Sequence, residues 1–386
     1  MTPESCRRSD ERRYDPGVTG SRGRREANPV RALLLGKIQV LLLLAPVAWV
    51  LAVVTGPSAW LFAAAAGSIL PLANLIRHAT DALASRVGPA LGGFLNASFG
   101  NAAELIIGVA ALRAGHRQLV QASLSGSIIG NLLVVLGLAM FAGGLRHGRQ
   151  RFNRQSAGNA TAMLFLAVVA LVMPAIFDLT VSGSATLPTP QIVSLSLWTS
   201  ALLIVAYLGG LVYTLTAGRD PFGAEEPRGE TTLGMRPALF VLAGATVLTA
   251  VQAELLVSSL EPMLHRFGLT ELFTGVIVVA IVGNAAEHYS AVTAGAANRM
   301  SLATHIAIGS SAQIALLVAP ALVLLSLLFG EPMTLLFHPL EIAGIGLSVL
   351  AVAIVSLDGE SNWVEGLQLI AVYLVLAGAF YLVPAG

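Results

Sequence analysis

The sequence predicts an all-α membrane protein of about 11 transmembrane helices, built as two inverted five-helix repeats plus an extra N-terminal helix. Three observations predict it. Of 386 residues, 55% are hydrophobic and only 11% are charged, against about 25% charged in ordinary soluble domains. The apolar residues gather into eleven runs, most of them near the ~20 residues that a bilayer crossing requires. One pentapeptide, Gly-Asn-Ala-Ala-Glu, occurs at 100–104 and again at 283–287, each time placing a carboxylate in a run that should otherwise reject it.

Residues 1–32 are polar, Arg-rich and poor in large apolar side chains, so they are expected as a disordered cytoplasmic tail. A cleaved signal peptide is not expected, because the first apolar run is already of spanning length. Cys6 is the only cysteine, which excludes an intrachain disulfide and a cysteine-based zinc site. The run 33–55 is the extra helix. Runs 58–76, 89–113, 118–145, 157–177 and 194–217 form a first repeat over 58–217. The polar stretch 218–236 reads as an inter-repeat cytoplasmic loop, and 237–258, 272–297, 302–329, 334–356 and 363–383 form a second repeat over 237–383. No connection is long enough for a soluble domain. With the N-terminus inside, all but Arg113, Arg117 and Arg266 of the 22 Lys and Arg residues fall on the inner side, as the positive-inside rule requires. The C-terminus is then outside.

Laying the two pentapeptides together gives an offset of 183 residues, and the same offset lays "GSIIGN" at 126–131 on "GSSAQI" at 309–314. The first pentapeptide sits on a run leading outward and the second on one leading inward, which inverts the repeats. Inverted repeats with broken helices meeting near mid-membrane characterise secondary transporters.

Each copy presents an amide and a carboxylate three residues apart, Asn101 with Glu104 and Asn284 with Glu287, on one helix face. A charged side chain at mid-bilayer costs about 2.5–3.5 kcal/mol on insertion scales, so two of them require compensation. No basic residue lies centrally in either motif run, which argues against a purely structural ion pair. Gly100 and Gly283 weaken the helix just before each pair and free carbonyl oxygens for a cavity. Hard divalent ions take about 6–8 oxygen ligands. Glu104 and Glu287 would neutralise one such ion, with Asn101 and Asn284 beside them. Ser127, Asn131, Ser310, Ser311 and Gln313 are further oxygen donors on the following runs, the serines reading equally as helix-packing residues. With the ion gone, protons take its place on the carboxylates, and that competition is the physical basis of cation/proton exchange. His288 reads equally as a proton relay or as an interhelical hydrogen-bond partner. Asp81 and Glu254 lie near run ends, where water can solvate them.

These segments resemble the cation/proton exchanger (CAX) family, the calcium/proton antiporter branch of the calcium/cation antiporter superfamily. The resemblance lies in "LGGFLNASFGNAAELIIGVAALRAG" with "VQASLSGSIIGNLLVVLG", in "VGNAAEHYSAVTAGAANRMSLATHIAIGSSAQIALLVAP", and in "DGESNWVEGLQLIAVYLVLAGAFYLVP". It implies Ca2+ and H+ as transported substrates, with Na+, K+ and Mn2+ left open. It also implies that Glu104 and Glu287 bind ion and protons, that Asn101, Asn284, Ser310, Ser311 and Gln313 support them, and that Asp81, where glutamate is usual, marks a cytoplasmic cation entrance. Gly130 stands where serine is common, and 217–237 lacks the long acidic helix of some relatives.

The implied activity is Ca2+/H+ antiport by alternating access in a bacterial inner membrane. The rival is a Na+ or K+/H+ antiporter of the same architecture. No HExxH, GxSxG or P-loop pattern occurs, so an enzyme is not expected. Neither a cofactor nor a nucleic-acid partner is expected, the lipid bilayer is the expected surrounding, and a homo-oligomer is compatible with these features.

Overall fold

A computed structural model describes residues 37–87, 92, 95, 96, 98–181, 189–217, 233–330 and 332–384. The expected tail 1–32 and residues 218–232 of the expected inter-repeat loop lie outside the described residues.

A 3-10 turn over Lys37–Leu43 leads into α1, Leu44–Val54. Its outer face, with Val50 and Val53, is exposed and apolar, and its inner face packs on α2, Ala59–Ala84. Ser58 caps α2 by accepting the Leu61 amide. The sequence placed the end of this run at 76. Nothing between 77 and 84 stops a helix, and Ala79, Ala82 and Leu83 continue its buried face, so α2 runs about two turns further. Arg77, just past the expected end of the run at 76, therefore stands on the helix.

The two motif runs are the broken ones. In the first, the helix gives way at Gly100 and Asn101 and resumes as α3, Ala102–Arg113. In the second, α9 (Glu271–Gly283) gives way at Asn284 and α10 (Ala285–Ala296) follows. Between them lie α4 (Arg117–His147), α5 (Arg154–Val181), α6 (Pro190–Ala217), α7 (Met235–Ser258) and α8 (Leu260–Phe267). After α10 come α11 (Met300–Phe329), α12 (Pro339–Val355) and α13 (Trp363–Tyr381). Short strands β1 (Gln150–Arg151) and β2 (Glu360–Ser361) pair antiparallel.

Among the described residues, seven of the runs are helices long and apolar enough to cross a membrane and two correspond to the shorter Ile38–Val54 and Pro339–Val355, while the two motif runs are interrupted at Asn101 and Asn284. α8 was not expected, since eight amphipathic residues make no apolar run. Gly268, at φ +64°, closes it, and the α8–α9 bend is 110°. Both α4 and α11 contain a five-residue π-helical segment, Asn131–Val135 and Ile314–Val318, at the 183-residue offset of the sequence repeat. Such segments mark places where a helix is locally re-aimed, often at functional sites.

α4 is largely enclosed by the other helices, and glycines permit its contacts. A Cβ on Gly126 would lie 2.2 Å from the Val276 carbonyl oxygen of α9. α2 and α7, the opening helices of the two halves, pack along each other through Leu72, Leu75, Ile76 and Ala79 against Leu242 and Ala245.

Candidate ion-binding site

Because each motif helix breaks at its asparagine, Asn101 and Asn284 sit at N-cap positions, and Glu104 and Glu287 fall in the first turns of α3 and α10. That is a correction of detail to the shared helical face: the amide stands at the break and the carboxylate one turn inside. An acid in the first turn is favoured by the positive end of the helix dipole.

The asparagines reach across to the other half. Asn101 Nδ2 donates to Gln313 Oε1 at 2.7 Å, and Ser310 Oγ donates to Asn101 Oδ1 at 3.3 Å. In the mirror arrangement Asn284 Nδ2 donates to Ser127 Oγ at 2.6 Å, while Asn131 Nδ2 donates to Asn284 Oδ1 at 3.0 Å and to Ser310 Oγ at 3.2 Å. Gln313, Asn101, Ser310, Asn131, Asn284 and Ser127 thereby form one continuous chain of amides and hydroxyls drawn from both breaks and from α4 and α11. Ser311 is buried too, but its hydroxyl donates to Ala307 O of its own helix at 2.9 Å, so the structure does not bring it into this chain.

Both glutamates are turned inward. Glu287 is 5% exposed. Glu104 lies over the backbone of Gly283, where a Cβ would be 3.1 Å from its Cγ and 3.8 Å from its Oε1. Both Glu104 oxygens and Asn131 Oδ1 are buried without a hydrogen-bond partner among the described residues. Buried acceptors left so are costly, and a cation is the ligand that acceptors alone can hold. No group of three or more His, Cys, Asp or Glu side chains suited to a metal exists among the described residues. What gathers here is two carboxylates with amide and hydroxyl oxygens, a hard donor set of the kind that suits Ca2+.

Sequence reasoning missed Arg77. Its Nη1 lies 3.5 Å from Glu287 Oε1, a basic partner that inspection of the motif runs alone did not find because it comes from α2. The signal available was the helical continuation past residue 76. Asp81, the expected entrance residue, stands one turn further along α2. His288 lines a small recess with Ser127, Gly130, Asn284 and Tyr373. Glu254 pairs with Arg113 at 3.0 Å on the exposed surface, in keeping with its solvated reading.

The profile of the family described as sodium/calcium exchanger protein matches residues 57–216 and 237–382. The chain belongs to this exchanger family. Among its relatives, the Ca2+/H+ antiporter ChaA of Bacillus subtilis (strain 168) is 41% identical over 332 residues, covering 84% of this chain and 93% of the relative. The vacuolar cation/proton exchanger 2 of Oryza sativa subsp. japonica is 38% identical over 379 residues, covering 94% and 86%. The solved structure of native YfkE superposes with a TM-score of 0.78 at 38% identity, covering 90% of this chain and 100% of that one. The H+/Ca2+ exchanger CAX, at 14% identity, shares the fold with a TM-score of 0.66 over 89% and 91%. The chain is thus an integral membrane protein of the exchanger fold, and the relatives named here are transporters rather than enzymes.

Proposed function

We propose that the chain is a secondary active transporter exchanging Ca2+ for H+ by alternating access, with Glu104 and Glu287 as the site that cation and protons share. The observation that carries this reading is the pair itself: two buried carboxylates from opposite halves, one of them with no hydrogen-bond partner among the described residues. Such a pair holds either one divalent ion or protons, and the competition couples the two fluxes. The relatives whose names state a Ca2+/H+ exchange favour Ca2+ over the rival Na+ or K+.

Asn101, Asn284, Ser127, Asn131, Ser310 and Gln313 position the site and lend it oxygens, with Ser311 beside them. His288 serves proton coupling, and Asp81 draws cations to a cytoplasmic entrance. The repeats span 58–217 and 237–383, and α2 with α7 moves against the helices that carry the asparagine breaks. The N-terminus is cytoplasmic, the C-terminus outside, and the membrane a bacterial inner membrane.

The test is uptake of radiolabelled Ca2+ into proteoliposomes under an imposed pH gradient, beside parallel runs with Na+, K+ or Mn2+ as the only cation. Glu104→Gln and Glu287→Gln are expected to fold and to fall to background. Near-normal uptake by either variant would remove the proposed site, and proton-coupled Na+ or K+ flux without Ca2+ flux would reassign the cation.

A further inference from the structure

We infer that Arg77 is a tethered counter-cation: its guanidinium stands against Glu287 where the transported cation must bind, so that cation binding and the Arg77–Glu287 contact exclude one another. This rests on the reading of Glu104 and Glu287 as the cation site.

Three features carry it. The first is position. The contact is made to a site carboxylate itself, Arg77 Nη1 to Glu287 Oε1 at 3.5 Å, with the Glu287 side chain 7% and the Arg77 side chain 20% exposed. Any cation taking that oxygen must displace the guanidinium or share it against strong repulsion.

The second is asymmetry between the halves. The glutamates occupy equivalent places in the two repeats, yet Glu104 has no partner among the described residues while Glu287 has one. The helix of the second half that corresponds to α2 is α7, whose sole basic residue, Arg236, lies in its first turn. The repeat therefore does not demand a cation here; this chain supplies one to a single carboxylate.

The third is the quality of the contact. It is one long hydrogen bond, not the paired fork that arginine makes with carboxylate when held for structure. The guanidinium sits on a long flexible stem, and Asp81 lies one turn away on the same helix face, a carboxylate toward which the displaced group can turn. Breaking a desolvated ion pair is costly when it leaves a naked charge. Replacing one cation with another avoids that penalty.

Arg77 thus neutralises one carboxylate whenever the site is empty, and it lowers cation affinity so that the ion can be released. Its removal should tighten binding and slow turnover, the opposite of what loss of a structural residue does.

The experiment measures Ca2+ binding to the purified full-length chain in detergent at mildly alkaline pH, and the Ca2+ dependence of exchange in proteoliposomes. Arg77→Gln is expected to bind Ca2+ about tenfold more tightly, equivalent to about 1.4 kcal/mol, with both the KM for Ca2+ and the maximal rate reduced; Arg77→Lys should stay near wild type. Unchanged or weaker binding by Arg77→Gln overturns the inference. If that variant is unstable without ions, Ca2+ should raise its melting temperature more than it raises that of the wild type, and failure of Ca2+ to do so overturns it as well. A wild-type chain that binds no Ca2+ would instead refute the reading of the glutamate pair.

Discussion

At the scale of single residues, the repeated pentapeptide was enough to name both asparagines and both glutamates, because a carboxylate in an apolar run has few structural excuses. Arg77 was not legible in the same way. Its role depends on where α2 stops, and a hydropathy reading ends a helix at the first charge, whereas the buried Ala79, Ala82 and Leu83 carry it onward. Gly283 was read only as a helix breaker, and the structure adds a second reason for it. Its missing side chain is where Glu104 lies, with Cγ 3.1 Å from the place a Cβ would take. Gly283→Ala must therefore move the Glu104 side chain by a few tenths of an ångström while leaving the surrounding helices in place. Ca2+ binding should weaken several-fold while the melting temperature of the ion-free chain stays close to that of the wild type. Equal affinity would show that Glu104 need not lie on that backbone.

At the scale of elements, most of the apolar runs were legible to within a few residues, the end of α2 excepted, since length and hydropathy go far for helices in lipid. The cross-repeat hydrogen bonds were not, because spacing within a helix says nothing of which other helix lies opposite. The packing of α4 makes a sharp test of that arrangement. A Cβ on Gly126 would collide with backbone of α9, as the 2.2 Å approach to Val276 O shows, but Gly130, one turn on, has nothing within 4 Å. Backbone cannot yield as a side-chain end can, so Gly126→Ala should lower stability by about 1–3 kcal/mol or more. Gly130→Ser should fold normally, its hydroxyl facing the recess that Ser127, Asn284 and His288 line. Thermal melting of both variants in one detergent reads the contrast, and equal melting temperatures would mean that α4 and α9 are not packed backbone to backbone.

At the scale of the whole molecule, the order of elements and the paired breaks followed from the internal repeat, while the rim that ties the halves together did not. His116, in the turn between α3 and α4, contacts Glu271 at the start of α9, Nδ1 to Oε1 at 2.8 Å. The hydrogen bond to Glu271 raises the His116 pKa above its ordinary value of 6.5; burial opposes the shift, and the charges of Glu271 and Glu261 reinforce it. A histidine whose folded pKa is raised stabilises the folded chain fully at pH values below the unfolded value, and that stabilisation is lost as pH rises through the folded one. The link between the halves should therefore weaken from neutral toward mildly alkaline pH, while Glu271→Gln should melt with little dependence over the same window because its partner no longer favours the charged imidazole. The measurement is the difference between the two melting curves across that window, which cancels every other titrating group the chains share. If the difference stays constant with pH, His116 does not gain its charge from Glu271, and the connection is a neutral hydrogen bond that contributes equally at every pH.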